Sequence, residues 1–438
     1  MLDKNHQQRR EWERLDRDQL ETLQLAKLNA LCERILPHSA FWAERIPRRL
    51  LPLRSWNDFR SMAYTSKADL VGGSDAVYTH NLTFPTERYV RLHRTSGTHG
   101  HPLAVLDTAS DWQWWIDTWQ FVLDAADVDV RDRVLMAFSF GPFIGFWSAY
   151  DAVLARGALV IPGGGQSSLA RLGMLQSYSV TAIFCTPSYA LHLAEVGEQQ
   201  EIDVARLGVR KIIVAGEPGG SAPGTRARIE AAWGARVIDH AGATEVGPWG
   251  YADSQGRGLR IVETEFIAEF RSLETGDPAA EHELSELVLT SLGRDGCPVI
   301  RYRTGDLVRP SWPAEETNRF VLLTEGVLGR VDDMLIIRGV NVFPAAVENI
   351  LRTFPDIVEF RLTATKHGEL DELSVEVEDR RGEPQRVARE LQLRLGLRVD
   401  VQLVPPGSLP RFEGKGRRFV DARPRPGVTT RSVSTGNG

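Results

Sequence analysis

The chain has 438 residues, 42% hydrophobic and 25% charged, with a formal net charge of −6, the balance of a globular protein of roughly two or three domains. Net acidity with scattered arginine is a poor footprint for nucleic acid. Three widely spaced cysteines (Cys32, Cys185, Cys297) make neither a disulfide framework nor a CxxC metal site, as suits a reducing cytoplasm.

The opening segment, MLDKNHQQRREWERLDRDQ, is charged and lacks the apolar run of a secretory leader. Residues 10–50 read as helical, with Leu15, Leu20, Leu23, Leu25, Leu28 and Leu31 as the apolar positions. From residue 85 short apolar runs alternate with helical stretches. VLMAFSF is followed by a helix near 145–156, ALVIPGGG by one near 168–178, TAIFCTP by one near 188–199, and KIIVAGEP by one near 223–233, before ARVIDHAG. That alternation predicts βαβ units around a largely parallel sheet. Ligands then belong beyond the carboxyl ends of the strands, where GPF, PGGG, TPS, AGEP and HAGATE fall. Val134 to Tyr150 is free of charge, but it contains Gly141, Pro142 and Gly145 and is shorter than the roughly 20 residues of a membrane span, so it reads as buried core.

After Glu263 the pattern is β-rich, with ELSELVLTSL, CPVIRYRTGDLVRP and RFVLLTEGVLGRV. A second unit starts near Asp332: MLIIRGVNVF, a helix from Pro344 to Thr353, VEFRLTATK, DELSVEVED, a helix near 384–396, and RVDVQLVPP. This β-α-β-β-α-β order predicts a small α+β domain. The division expected is therefore 1–331, 332–422, and a disordered polar tail over 423–438.

Five segments carry chemistry. Arg94-Thr95-Ser96-Gly97-Thr98-His99-Gly100-His101-Pro102 crowds hydroxyls and glycines into a loop that can wrap phosphate oxygens, or that simply turns a hairpin. His93, His99 and His101 hint at a metal, but one short segment supplies two ligands at most, so they read as solvated loop histidines. In Ile238-Asp239-His240-Ala241-Gly242-Ala243-Thr244-Glu245 the hard oxygens of Thr244 and Glu245 could hold Mg²⁺ beside a triphosphate, or could cap a helix. Asp306, after the Gly305 turn, could grip a ribose diol or sit in a surface turn. Gly329-Arg330-Val331-Asp332-Asp333 marks a hinge or a plain linker. Pro410-Arg411-Phe412-Glu413-Gly414-Lys415-Gly416-Arg417-Arg418 sets one lysine between glycines in a chain where only six of the 52 basic residues are lysine. A mobile ammonium there can meet developing negative charge, or the loop is merely basic and solvated. Phe138, Phe140, Phe143 and Trp147 near a strand end are either core aromatics or a slot for an aryl ring.

In this order and spacing, RTSGTHGHP, TPSYALHLAE, AGEP, CPVIRYRTGDL, GRVDDMLIIRGVNVFP and GKGRR resemble the adenylate-forming superfamily of acyl-CoA synthetases and adenylation domains, and most of all its phenylacetate–CoA ligase branch. The likeness runs from about residue 30 to 422. It implies a large N-terminal α/β domain with parallel-rich sheets and a small mobile α+β C-terminal domain. It also implies a cytoplasmic, ATP-, Mg²⁺- and CoA-dependent ligase of an aromatic acid.

The resemblance further implies roles. Ser96, Gly97, Thr98 and Gly100 would close over the ATP phosphates, with Thr98 and Glu245 at the metal and in catalysis. Glu217 and Pro218 would border the adenine and acyl pocket, and Asp239 would lie beside the adenine. Thr244 would meet the α-phosphate. Asp306 would take the ribose hydroxyls, assisted by Arg330. Asp332 would be the hinge, Gly339 would line the CoA tunnel, and Lys415 would drive adenylation. Phe138, Phe140, Phe143, Gly216, Ala241 and Gly242 would shape the acid pocket. Three departures stand out. Ala241 replaces the usual adenine-stacking aromatic, with His240 as a partial substitute. His99 and His101 replace Thr and Lys in the phosphate loop. TEVGPWG is one residue short. The alternatives are an adenylating enzyme that loads a carrier protein or an amine, and a degenerate nucleotide-binding homologue. Membrane and nucleic-acid partners are not expected, and a homodimer is compatible with the sequence.

Overall fold

The structure, a computed structural model, describes residues 5–72, 76–95, 102–142, 144–145, 147–314, 317–337, 340–367, 370–412 and 418–423. The expected disordered tail lies outside them apart from Arg423. The chain divides into two compact units, one of them Met1–Asp332 and the other chiefly Asp333–Arg411.

In the first unit, helices His6–Trp12, Arg17–Ile35 and Ala40–Arg45 fill most of the segment expected to be helical, and Trp56–Arg60 follows beyond it. An antiparallel hairpin follows, β1 (Tyr89–Arg94) and β2 (Ala104–Thr108), with His93 opposite Val105. Then come β3 (Arg133–Met136), β4 (Leu159–Pro162), β5 (Ala182–Cys185), β6 (Lys211–Val214), β7 (Arg236–Ala243), β8 (Gly247–Ala252) and β9 (Gly258–Ile261). After these lie β10 (Phe266–Ser272), β11 (Ser285–Ser291), β12 (Tyr302–Val308), β13 (Pro310–Ser311), β14 (Leu322–Thr324) and β15 (Gly329–Arg330).

The large sheet has the order β13-β14-β9-β8-β7-β6-β5-β3-β4. From β4 to β7 it is parallel, and beyond β7 it is antiparallel. The parallel strands are apolar almost throughout because both faces are covered. Successive residues alternate between two cores, as the two-residue period of a strand requires. Val134, Met136, Ala182, Phe184 and Ile213 enter one, while Leu135, Ile183, Cys185, Ile212 and Val214 enter the other. A second, antiparallel sheet has the order β10-β11-β12-β15.

Helix Ala109–Ala125 starts at a capping box between Thr108 and Asp111. Trp112, Trp114, Trp115 and Trp119 are all buried on it. Each indole N–H donates to a buried or half-buried acceptor: Asp151, Glu265, Asp107 and Ser148 respectively. Unpaired, each would cost about 1–3 kcal/mol. Among the described residues no helix is long and apolar enough to cross a membrane, and Val134–Tyr150 opens as β3 and closes in helix Trp147–Arg156.

The second unit holds β16 (Leu335–Ile337), β17 (Val340–Val342), helix Pro344–Arg352, β18 (Ile357–His367), β19 (Leu370–Asp379), helix Pro384–Leu395, β20 (Asp400–Leu403) and β21 (Phe419–Asp421). Here the structure departs from the expected strand pattern. MLIIRGVNVF folds on itself as the β16–β17 hairpin, with Ile336 opposite Asn341. The four-stranded sheet is β20-β19-β18-β21. Its outer place beside β18 goes to Phe419–Asp421, which pairs parallel with Leu362–Ala364. Val347, Leu351, Leu362, Val375, Val387 and Leu391 form the core of this unit.

Candidate functional site

Because β3, β5, β6 and β7 are parallel neighbours, their carboxyl ends open on one edge of the sheet, where an α/β fold binds its ligands. The residues that follow them are Phe138 and Phe140, then Thr186 and Ser188, then Gly216, Glu217 and Pro218, and finally Ala241 and Gly242 within the last turn of β7.

Glu217, just after β6, bridges to the helix that follows β5. Its carboxylate accepts from the Ser188 backbone N–H at 2.7 Å and also from the Ser188 hydroxyl. Ser188 lies in the first turn of helix Pro187–Gln199, so the acid sits on the positive end of a helix dipole. Asp239 is buried, and its Oδ2 accepts from Ser221 Oγ at 2.5 Å. Gly326, at φ +73, backs this pair: a Cβ there would stand 2.8 Å from Ser221 Cβ. Burial pushes the Asp239 carboxyl up to about 6, against the opposing pull of Ser221.

His240 points to the other face of β7. Its Nδ1 lies 2.7 Å from the Gly250 carbonyl, and its ring sits 4.0 Å from that of Trp119. Burial lowers its pKa to about 4, which keeps it neutral. A ring committed to the core cannot stack on a nucleotide, so His240 does not stand in for the aromatic missing at Ala241. Ala241 faces Gly250 across the β7–β8 ladder, and Gly242 is exposed.

Thr244 and Glu245 form the tight turn between β7 and β8, so neither caps a helix. Tyr302, buried at the start of β12, donates its hydroxyl to Glu245 Oε1 at 3.0 Å. Four residues along β12, Asp306 stands opposite Arg330 of β15 and accepts from its Nη1 at 3.0 Å. The other Arg330 nitrogen reaches Asp332 at 3.4 Å. Gly305, at φ +76, leaves room for that guanidinium: a Cβ would lie 2.8 Å from Nη2. Burial raises the Tyr302 pKa, and the charge of Glu245 raises it further, while Arg330 and Asp306 also act on this phenol. One buried hydroxyl therefore lies within electrostatic reach of Glu245, Asp306 and Arg330.

Among the described residues no cluster of three or more His, Cys, Asp or Glu could hold a metal. The turn offers one carboxylate and one hydroxyl. That donor set fits Mg²⁺, which commonly takes one or two carboxylates and completes its shell with phosphate and water.

At the end of β3, Phe138 and Phe140 are half-buried with ring centroids 4.9 Å apart, and Phe140 meets Trp147 edge-on at 4.5 Å. They rest on the core and border the Gly163–Gly164 turn, where a Cβ on Gly164 would lie 2.9 Å from the Phe140 ring.

His93 corrects an expectation. It is only 4% exposed, stacks on Trp112 at 5.4 Å, and lies 3.8 Å from Asp107, so it is a core residue of β1 and not a solvated loop histidine. Its β-strand phase, inward beside outward Leu92 and Arg94, accounts for this. Ser96, Gly97, Thr98, His99, Gly100 and His101 lie outside the described residues, as do Phe143, Gly339 and Lys415. On either side of residues 413–417, Arg411 pairs with Glu378 at 2.8 Å and Arg418 with Glu359 at 2.6 Å. Those two glutamates are cross-strand partners. Tyr302 and Ser188 lie inside CPVIRYRTGDL and TPSYALHLAE, and Ser221 lies outside such motifs, but in none of the three does the sequence say which partner the buried hydroxyl takes.

Residues 85–265 match the AMP-binding enzyme family, and residues 339–423 match the AMP-binding enzyme C-terminal domain. A phenylacetate-coenzyme A ligase of Thermus thermophilus is 31% identical over 92% of this chain and 99% of its own length. A second, from Escherichia coli, is 34% identical over 84% of this chain and 86% of its own. Among solved structures, 2-hydroxyisobutyryl-CoA ligase in its postadenylation state with R3-HIB-AMP superposes with a TM-score of 0.86 at 25% identity, covering 94% of this chain and 91% of the other. The same enzyme with 2-HIB-AMP and CoA gives 0.70 at 26% identity, with the same coverage.

Proposed function

The chain belongs to the phenylacetate–CoA ligase family of AMP-binding, adenylate-forming enzymes, and we propose that it activates an aryl carboxylic acid with ATP and passes the acyl group to CoA. It is an AMP-forming acid–thiol ligase that uses ATP, Mg²⁺ and CoA. The observation that carries this reading is the 31% identity that runs through 99% of the Thermus thermophilus ligase.

The acid's carboxylate attacks the α-phosphorus of ATP, forming the acyl-adenylate and releasing pyrophosphate. The thiolate sulfur of CoA then attacks the acyl carbon, forming the thioester and releasing AMP. In this reading Asp239 accepts from the adenine amino group, and the Asp306–Arg330 pair receives the ribose diol. Phosphate oxygens fall to Thr244 and to Ser96, Gly97, Thr98 and Gly100. Mg²⁺, held by Glu245 and Thr98, neutralises phosphate charge when bound. Lys415 supplies a compact ammonium to the charge that develops during adenylation, where the planar fork of arginine would fit poorly. Phe138, Phe140 and Phe143 wall the aryl ring, with Gly216 and Gly242 leaving room for it. Asp332 is the hinge that withdraws Lys415 and brings Gly339 to the thiol path.

The test is pyrophosphate release over a panel of benzoates, phenylacetates and aliphatic hydroxy acids, with and without CoA. The reading expects release with arylacetates or benzoates and matched consumption of CoA. Release without CoA consumption would assign the acyl group to a carrier protein or an amine. Silence on every acid would make the chain a nucleotide-binding homologue.

A further inference from the structure

The Thr244–Glu245 turn is tethered by a residue outside the site. Arg294 is fully buried, with 0% exposure. Its Nη1 donates to the Thr244 carbonyl at 2.9 Å. Its Nη2 pairs at 2.6 Å with Oδ1 of Asp107, which is itself 1% exposed. The guanidinium lies over the Trp115 ring, 5.5 Å from its centroid, and the Trp115 indole N–H donates to the same Asp107 oxygen at 3.2 Å. His93 faces the second oxygen of Asp107. Burial alone would raise the Asp107 carboxyl, but the neighbouring Arg294 and His93 outweigh it and hold the group ionised.

A buried charge pair is a poor source of net stability, because desolvating two ions offsets much of their attraction. It does provide direction. A rigid guanidinium fork, held at one end by Asp107 of β2, fixes a carbonyl at the other end to within hydrogen-bond tolerance. That carbonyl belongs to the residue preceding Glu245, whose side chain is held separately by Tyr302. Backbone and side chain of the turn are thus fixed from two sides.

We infer that Arg294 is a positioning residue for magnesium-bound ATP: through the Thr244 carbonyl it holds the Thr244–Glu245 turn in the orientation that lets Glu245 receive the metal. This rests on the assignment of Glu245 to Mg²⁺ above. Arg294 touches no substrate, and its effect passes through the turn alone.

The experiment measures ATP affinity by titration calorimetry, with Mg²⁺ present and with EDTA, on the full-length protein. Arg294→Lys keeps the buried cation but loses the fork, so it can satisfy Asp107 or Thr244 but not both. It is expected to weaken ATP binding about ten- to a hundredfold in Mg²⁺, the range for a lost hydrogen bond to a charged donor, and by much less in EDTA, where only the Thr244 contact to phosphate is disturbed. A purely structural role would lower both affinities alike. If Arg294→Lys does not fold, Asp107→Leu/Arg294→Met replaces the pair with apolar residues of similar volume, an exchange that proteins often tolerate. The same Mg²⁺-specific loss is expected from it.

Glu245→Gln separates the two assignments. If it leaves the Mg²⁺-dependent gain in affinity intact, the reading of the turn as the metal site fails, and this inference fails with it. If it abolishes the gain while the Arg294 variants keep it, only the inference about Arg294 is overturned. In the triple or double combination with Glu245→Gln, the Arg294 change should add little further loss. Full additivity would also overturn the inference.

Discussion

Replacing Asp239 by asparagine should change stability in a pH-dependent way whose sign follows from burial. In the folded chain the carboxyl titrates at about 6, against 3.8 in the open. A folded-state pKa above the unfolded one means that the group contributes stability below pH 4 and that this contribution is lost as pH rises through 6. A difference of about two units corresponds to roughly 3 kcal/mol, absent from the wild type at neutral pH. An asparagine side chain would still offer an oxygen to Ser221 but cannot ionise, so the variant escapes the loss. Between pH 4.5 and 7.5 the stability of Asp239→Asn relative to wild type should therefore rise by about 2 kcal/mol, the part of the window lying between 4.5 and 6. Urea unfolding followed by tryptophan fluorescence is the assay, because all eleven tryptophans precede residue 332 and report on the first unit. His240 titrates identically in both proteins and cancels. A difference that is flat with pH, or that shrinks as pH rises, would refute the account of Asp239 as a carboxyl destabilised by burial.

Lys415→Ala should nearly abolish pyrophosphate release while leaving thiolysis of a supplied acyl-adenylate within a few-fold of wild type; an equal fall in both half-reactions would remove the assigned role. Asp332→Pro, which stiffens the backbone where the first unit ends, should slow thioester formation more than adenylation, measured in separate single-turnover assays. Phe140→Ala removes one ring from the Phe138–Trp147 cluster and should raise KM for an aryl acid about tenfold or more with little change in KM for ATP. An unchanged KM for the acid would return these aromatics to the core.

Much of the parallel half of the fold is legible in the sequence, because buried strands such as Ala182–Cys185 are short apolar runs ended by Thr or Gly turns. Helix Ala109–Ala125 is less legible that way: it is buried over most of its circumference, and only the narrow polar stripe Ser110, Gln113 and Asp117 is left exposed to set against its apolar face. The antiparallel strands from β8 onward are harder still, since their pairing depends on turns like Thr244–Val246 that also resemble a helix start. At the site, Asp306 and Arg330 stand in recognisable motifs and meet across β12 and β15. Arg294 and Tyr302 also lie in or beside a recognisable motif, yet their partners are about 50 and 57 residues away in sequence. No local pattern carries a contact of that range. The scarcity of lysine takes on meaning in the same way. Lys27 and Lys211 are spent on Glu265 and Asp132, and the arginines at 411 and 418 bracket the lysine given the adenylating role.

The central claim is that the acid is activated as an adenylate, and oxygen tracing tests it most directly. The enzyme is given phenylacetate or a benzoate labelled with ¹⁸O in the carboxylate, together with ATP, Mg²⁺ and CoA, and the phosphorus products are analysed by mass. Attack of the carboxylate on the α-phosphorus, followed by cleavage at the acyl carbon, predicts one labelled oxygen in AMP and none in pyrophosphate. Label in orthophosphate with formation of ADP, or unlabelled AMP alongside aryl-CoA, would contradict it.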